Sequence, residues 1–168
     1  MRVSPPTALV FVLAIPLAAA ACGDKEDGAR ASSALSAQAT ADLTLHAQWG
    51  TEVFETIGAS EQRHMDKVKG LLDAYGIEDP ITDDTVGVFT RSAFAELYGD
   101  LAHSGMQTEV DGLTVGATIE DLDIFDIRVM RTHTRVADVL AVYDKLECAS
   151  SNHMRAFAGE LAANSAEY

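Results

Sequence analysis

The sequence has few cysteines, and this shortage limits how the fold can be held together. Its two cysteines are Cys22 and Cys148, so a domain built on several disulfide bonds is excluded. If Cys22 is modified, as argued below, Cys148 has no partner within the chain. Because Cys148 falls in a strongly helical stretch, we expect it to be a small buried side chain.

Basic residues are also scarce. Lysine and arginine together number 12 against 26 aspartates and glutamates, and the formal net charge is −14. Such an acidic surface repels nucleic acid and anionic lipid headgroups, and it attracts cations. We therefore expect no nucleic-acid partner, although solubility alone would also explain the charge.

Several motifs that mark common enzyme classes are missing from the sequence. There is no glycine-rich phosphate loop, no nucleophile elbow and no Cys-x-x-Cys pair. Strand-like alternation of useful length and internal repeats are missing as well. An acidic loop at 77–90 lacks the Asp-x-Asp-x-Asp-Gly pattern of a calcium loop. The remaining pattern favours an all-helical protein.

Residues 1–21 have the pattern of a cleaved export signal. A positive charge at Arg2 precedes the apolar run 8–18. This run is too short to span a bilayer, and Pro16 interrupts it. We therefore predict a signal peptide rather than a permanent transmembrane helix.

The signal ends in small residues at 18–21, directly before Cys22. This arrangement resembles the bacterial lipoprotein cleavage box, although Ala19 stands where that box usually has leucine. We expect Cys22 to be acylated, which would anchor the chain to a bacterial membrane. The protein would then face the periplasm or the exterior, at the inner or the outer membrane. Plain secretion with a free Cys22 is the alternative.

The rest of the chain is predicted to be a flexible tether at 22–41 followed by one domain at 42–168. Long apolar stripes with helical spacing predict an all-α, four-helix bundle with a long crossover loop between the second and third helices. The predicted helices run over 36–48, 51–75 (ending at Gly76), 91–129 (broken at Gly105) and 136–163, with Thr134 as a plausible N-cap.

Ionisable residues interrupt the middle of three apolar stripes. A buried unpaired carboxylate costs several kcal/mol, so it must be protonated, paired or bound to metal. Two glutamates and two histidines at one height match the ligand set of a carboxylate-bridged metal site. A hydrogen-bonded network that only fixes packing is the alternative. The interrupting residues are Glu61 and His64 on the second helix, Glu120 and Asp123 on the third, and Ser150 and His153 on the fourth. The other histidines, His46, His103 and His133, fall near helix ends and are expected to have surface or capping roles.

Three of these stretches resemble motifs of a ferritin-like family of unknown function, domain of unknown function number 2202. The similar stretches are 59–80, which begins Ala59-Ser-Glu-Gln-Arg-His-Met; Val115-Gly-Ala-Thr-Ile-Glu-Asp-Leu-Asp-Ile; and Ser150-Ser-Asn-His-Met-Arg-Ala-Phe. The resemblance implies a ferritin-like bundle with a dinuclear metal site. It implies Glu61, His64, Glu120 and His153 as ligands, with Asp123 and Ser150 supporting them.

The first helix departs from the family pattern. Members of the family carry a glutamate-rich segment upstream of the part that matches 43–50, and this chain has no glutamate at 33–42. Asp42 is the only acidic residue in that window, and it is shorter and displaced. The departure implies one metal ion instead of two, or none.

Two functions of different classes follow. The first is an envelope metalloprotein that binds one or two iron or manganese ions and carries out ferroxidase or other oxygen- or peroxide-dependent chemistry. The second is a non-catalytic lipoprotein that keeps the bundle as a scaffold for a partner. An enzyme of unrelated chemistry is a third, so the sequence leaves enzyme activity open. Pairing into a homodimer is common among such bundles, but no exposed apolar stripe demands it.

Overall fold

The computed structural model describes residues 39–168 except positions 82, 84, 86, 90, 91 and 167. The predicted signal peptide, the predicted lipid-bearing Cys22 and most of the predicted tether lie outside the described residues. Within the described part the regular elements are α-helices and there is no strand, which confirms the all-α prediction. No helix of this part is long and apolar enough to cross a bilayer.

The described residues form five helices. The predicted bounds of the second and fourth helices are correct to within one residue, and the predicted break at Gly105 divides the third region into two helices. Helix is already present at residue 39, so 39–41 belong to the first helix rather than to a tether. The helices are α1 (39–49), α2 (Glu52–Ala74), α3 (Ser92–Gly105), α4 (Glu109–His133) and α5 (Ala137–Ala163).

Local signals explain where the helices begin and end. Gly76 follows α2 with a φ of 65°, a conformation that glycine adopts without strain. Thr108 caps α4, because its hydroxyl accepts a hydrogen bond of 3.0 Å from the Asp111 N–H. Before α5 the capping position belongs to Val136, and the Thr134 hydroxyl accepts the Val136 N–H at 3.1 Å. The predicted cap at Thr134 therefore acts on the residue that precedes the first turn of α5.

Two apolar clusters form the core. Each contains side chains from α2, α4 and α5, so each holds the same three helices together. The Phe157 cluster also includes Leu45 of α1. The Phe157 cluster consists of Leu45, Phe54, Ile57, Leu113, Ala117, Phe157 and Leu161. The Tyr143 cluster consists of Val68, Leu71, Ile127, Met130, Val139, Tyr143 and Leu146.

Between the two clusters lies a group of buried polar side chains, which we call the polar layer. Along each of the three helices its members come after one apolar cluster and before the other, so they share one height in the core. The polar layer consists of Asp42, Glu61, His64, Glu120, Asp123, Ser150 and His153.

The order of these layers gives the direction of each helix. The Phe157 cluster precedes the polar layer along α2 and α4, and it follows the polar layer along α5. Helices α2 and α4 therefore run in the same direction, and α5 runs opposite to both. Helix α5 packs against α4 and α2, while α3 packs against α4.

A glycine allows α4 and α5 to approach closely. A Cβ atom placed on Gly116 would lie 2.3 Å from Cζ of Phe157, which is far too close for any side chain. The Phe157 ring is fully buried and packs against Phe54, with ring centroids 5.6 Å apart. Because the ring has little room to move, only glycine at position 116 allows α4 and α5 to lie this close together.

One sequence-based expectation about side-chain burial is wrong. Cys148 is exposed rather than buried. It stands two residues from both Leu146 and Ser150, which face the core, and two residues on a helix correspond to a turn of about 200°. Tyr75, directly after α2, is 40% exposed, and its hydroxyl donates to Asp138.

Candidate metal centre

Each long helix contributes a pair of polar side chains to the core. The two members of a pair are three residues apart, which places them on one helix face. The flanking residues on the same faces are apolar and buried, so packing of the two clusters forces the polar residues inward. The pairs are Glu61 and His64 on α2, Glu120 and Asp123 on α4, and Ser150 and His153 on α5; each of these residues is at most 9% exposed.

Three of these residues meet at one point. Nδ1 of His153 lies 3.1 Å from Oε1 of Glu120 and 3.1 Å from Oε1 of Glu61. One ligand atom from each residue lies within 4.8 Å of the others, and all three residues are buried. This Glu61–Glu120–His153 triad has the donor atoms and the spacing to hold a metal ion.

His64 and Ser150 contact the triad from the side. Nδ1 of His64 lies 3.0 Å from Oε2 of Glu61, the oxygen that points away from His153. The His64 and His153 rings are stacked, with centroids 5.6 Å apart. The side chain of Ser150 acts on Glu120 and works against the rise that burial causes in the pKa of that carboxyl group. The structure thus brings His64, a ligand by family resemblance, to Glu61 rather than into the group of three.

Three buried carboxylate oxygens of the polar layer have no hydrogen-bond partner among the described residues: Oε1 of Glu61, Oε2 of Glu120 and Oδ1 of Asp42. For Glu61 the reason is geometric, because a single Nδ1–H of His153 cannot point at two oxygens. It makes its hydrogen bond to Glu120, and Oε1 of Glu61 is left at contact distance without a donor. Native cores rarely leave buried acceptors in this condition. A cation bound at the triad would give the oxygens of Glu61 and Glu120 a partner.

The pKa values of the triad show that it is strongly coupled. Burial alone would lower the pKa of His153, but the Glu120 and Glu61 carboxylates beside its Nδ1 outweigh burial and raise the pKa to about 10. Burial opposes ionisation of Glu61, yet the imidazoles of His153 and His64 next to its oxygens lower its pKa below the usual value. The pKa of Glu120 is raised, because burial and the Glu61 charge outweigh the bond to His153. The three groups therefore hold a proton at the place where a metal ion would bind.

The polar layer contains more acid than base. Its four carboxyl groups, on Asp42, Glu61, Glu120 and Asp123, face two imidazoles, and no lysine or arginine is buried in the described part of the chain. Proteins avoid burying charges that are neither paired nor bound to metal. The layer therefore needs additional positive charge, either protons or a cation, to reach neutrality.

Two buried carboxyl groups were missed or undervalued in the sequence. Asp42 appeared too short and displaced, yet it is 2% exposed, and burial raises its pKa, to which the charges of Glu120 and Glu61 add. Asp126 was not singled out, although it is 5% exposed. Its spacing of three residues from Asp123 places it on the same face of α4, and this signal was available in the sequence.

The remaining histidines lie away from the triad, in agreement with the expectation of surface or capping roles. The ring of His46 contacts the Thr51 carbonyl, with 3.2 Å between Nδ1 and the oxygen. His103 and His133 are exposed in the last turns of α3 and α4.

Comparison with known proteins supplies the family. Residues 37–168 match the model of an uncharacterized protein domain, DUF2202. The chain belongs to this family. The match includes α1 to α5 and confirms the family resemblance of the motifs around Glu61, Glu120 and His153.

An archaeal relative shares both sequence and fold. The uncharacterized protein MJ0754 of Methanocaldococcus jannaschii is 50% identical over 115 residues, which are 68% of this chain and 62% of that protein. The crystal structure of the hypothetical protein MJ0754 from Methanococcus jannaschii superimposes with a TM-score of 0.83 at 42% identity, covering 86% of this chain and 82% of the other. In the sequence comparison, the matched region is thus less than two thirds of the length of the Methanocaldococcus jannaschii protein.

Proposed function

We propose that this protein is a lipid-anchored, ferritin-like protein of the bacterial cell envelope that binds iron or manganese at the Glu61–Glu120–His153 triad. Ferroxidase-type oxidation of ferrous iron, or a related reaction with oxygen or peroxide, is the activity we assign to it. The proposal rests on the triad, whose three ligand atoms lie within 4.8 Å of one another in the core.

The helix directions support a ferritin-like topology. Helices α2 and α4 run the same way, so the chain must return along the whole bundle between them, and the segment 75–108, which includes α3, makes this connection. One long crossover between the second and third long helices is the feature that separates ferritin-like bundles from simple up-and-down bundles. Helix α1 would then be the first helix of the bundle.

The donor atoms fit iron or manganese. Carboxylate oxygens suit manganese, and imidazole with carboxylate is a common combination for non-haem iron. His64 would hold Glu61 in the orientation that presents Oε1 to the ion, and Ser150 would do the same for Glu120. Asp123 would support the site from α4. Bound iron would supply one-electron redox chemistry, while the two apolar clusters would exclude water from both sides of the layer.

Metal content tests the proposed site directly. The full-length chain is purified in detergent through a non-chelating tag, exposed to ferrous iron or Mn²⁺ and desalted, and its metal is measured by mass spectrometry. We expect about one ion per chain. Glu61→Ala should abolish binding, because it removes a ligand and leaves the triad open, whereas His103→Ala should not change it.

A metal content below about one-tenth of an ion per folded chain would exclude the metalloprotein function. The non-catalytic scaffold would then be the better description. Loss of binding in His103→Ala with retention in Glu61→Ala would overturn the site assignment.

The membrane anchor is tested separately from the metal site. We expect the full-length protein to sediment with membranes and Cys22→Ala to accumulate uncleaved or soluble, because no diacylglyceryl thioether can form without the Cys22 thiol. Cys148→Ala is the matched control and should behave as the unmodified protein does. Cleaved Cys22→Ala protein that still sediments with membranes as Cys148→Ala does would refute lipid attachment at Cys22.

A further inference from the structure

The polar layer contains a carboxylate from α1 that the triad does not include. Asp42 is 2% exposed, and its neighbours Ala41 and Leu45 are fully buried. The side chain therefore points into the core. Its Cβ atom lies against α2, since a Cβ placed on Gly58 would be 3.4 Å from it. Gly58 precedes Glu61 by one helical turn, so Asp42 enters the core directly beside the triad.

We propose that Asp42 is a further ligand of the cation held by Glu61, Glu120 and His153, so that the site is closed by one side chain from each of α1, α2, α4 and α5. This inference rests on the proposed metal function. It assigns to the first helix of this chain the carboxylate that its sequence appeared to have lost.

An unsatisfied oxygen supports this assignment. Oδ1 of Asp42 is buried and has no hydrogen-bond partner among the described residues. A carboxyl group kept in the core only to fix packing would be expected to use both oxygens in hydrogen bonds. An oxygen without a donor, in the same buried polar layer as two other such oxygens, is instead available to coordinate a cation.

Electrostatics indicate which groups Asp42 faces. Burial raises its pKa most, the charges of Glu120 and Glu61 raise it further, and the charge of His153 acts in the opposite direction. These three residues are the triad. Asp42 therefore lies close enough to all of its members to respond to their charge, and a divalent cation among them would lower the cost of ionising Asp42.

The additional carboxylate changes the chemistry of the site. Three carboxylates and one imidazole form a hard, oxygen-rich donor set, which suits Mn²⁺ or Fe²⁺. Zinc prefers sites that are richer in nitrogen and sulfur. A divalent cation would also offset the negative charge that Asp42, Glu61 and Glu120 carry when they are ionised.

The test compares Asp42→Asn with Asp121→Asn in the full-length chain. Both changes replace one carboxyl group by an amide, but Asp121 is exposed on the outer side of α4, next to Glu120 in sequence. Mn²⁺ affinity is measured by calorimetric titration, and thermal unfolding is followed with and without chelator. For Asp42→Asn we expect the Kd for Mn²⁺ to rise at least about tenfold. Its chelated form should unfold at the same or a higher temperature, and Asp121→Asn should match the unmodified protein in both measurements.

The outcomes separate this inference from the proposed function. Equal Mn²⁺ affinity in both variants would overturn the role of Asp42 and leave the triad as the metal site. Failure of the unmodified protein to bind Mn²⁺ or ferrous iron would overturn both. If Asp42→Asn does not fold, a crystal structure of the unmodified protein with Mn²⁺ decides: an Asp42 oxygen bonded to the ion supports the proposal, and an Asp42 carboxyl turned away from it refutes the proposal.

Discussion

The two apolar clusters and the polar layer between them lie on the same three helices but affect the stability of the fold in opposite directions. In the clusters, buried side chains such as Phe157 and Tyr143 lose water-exposed surface and gain packing contacts, which favours folding. In the polar layer, burial of Glu61 and Glu120 leaves oxygen atoms without partners, which opposes folding. The clusters therefore stabilise the bundle, whereas the unpartnered oxygens of the polar layer oppose its stability.

The largest loss of stability should come from a substitution in the Phe157 cluster. Phe157→Ala would leave a cavity between α4 and α5, and we expect it to lower the free energy of unfolding by about 3–5 kcal/mol. Urea denaturation of the full-length chain measures this loss. We expect it to be similar with and without metal, unlike the effect of Asp42→Asn, which should appear mainly in the metal-bound form.

Phe125→Ala is the control for this change. Phe125 lies on the same helix as Gly116 but is 61% exposed, and its removal should change the free energy of unfolding by less than about 0.5 kcal/mol. If Phe125→Ala were as destabilising as Phe157→Ala, the contrast between a packed cluster and an outer helix face would be wrong.

A smaller effect should appear in the dependence of stability on pH. The pKa of His153 is raised from 6.5 to about 10 in the folded protein without metal. A raised pKa contributes stability that is fully present below 6.5 and is lost as the pH rises toward 10, by at most about 1.4 kcal/mol per pH unit for one proton. Metal ligands must be deprotonated, so stabilisation by Mn²⁺ should increase over the same range.

Urea denaturation at several values between pH 6.5 and 8.5, with chelator and with Mn²⁺, measures both trends. We expect the two curves to diverge as the pH rises. His153→Gln should flatten the chelated curve, because it removes the titrating imidazole. Rising stability of the chelated protein over this interval would contradict the protonated triad.

The sequence predicted those parts of the molecule that depend on a repeating pattern. Apolar residues three and four apart predicted the long helices, and the interruptions at Glu61, Glu120 and His153 predicted which polar residues would be buried together. This works because burial of a helix face is set by spacing along the helix.

Features that depend on contacts between helices could not be predicted in the same way. Asp42 lies in a short helix whose stripe is too brief to show which side faces inward, and only its contact with Gly58 places it beside Glu61. Cys148 is a different case: it was expected to be buried because it falls in a helical stretch, yet its spacing from Leu146 and Ser150 turns it outward, and the sequence contains this spacing.

The contact between Gly116 and Phe157 has a consequence for the choice of ion. Gly116 precedes Glu120 by about one turn, and Phe157 follows His153 by about one turn, so this contact sets how far apart the backbones carrying two of the ligands stand. Any side chain at 116 would widen that gap and spread Glu120 away from His153. The diameter of the cation that the proposed site would accept is therefore partly set by the hydrogen atom that Gly116 carries in place of a side chain.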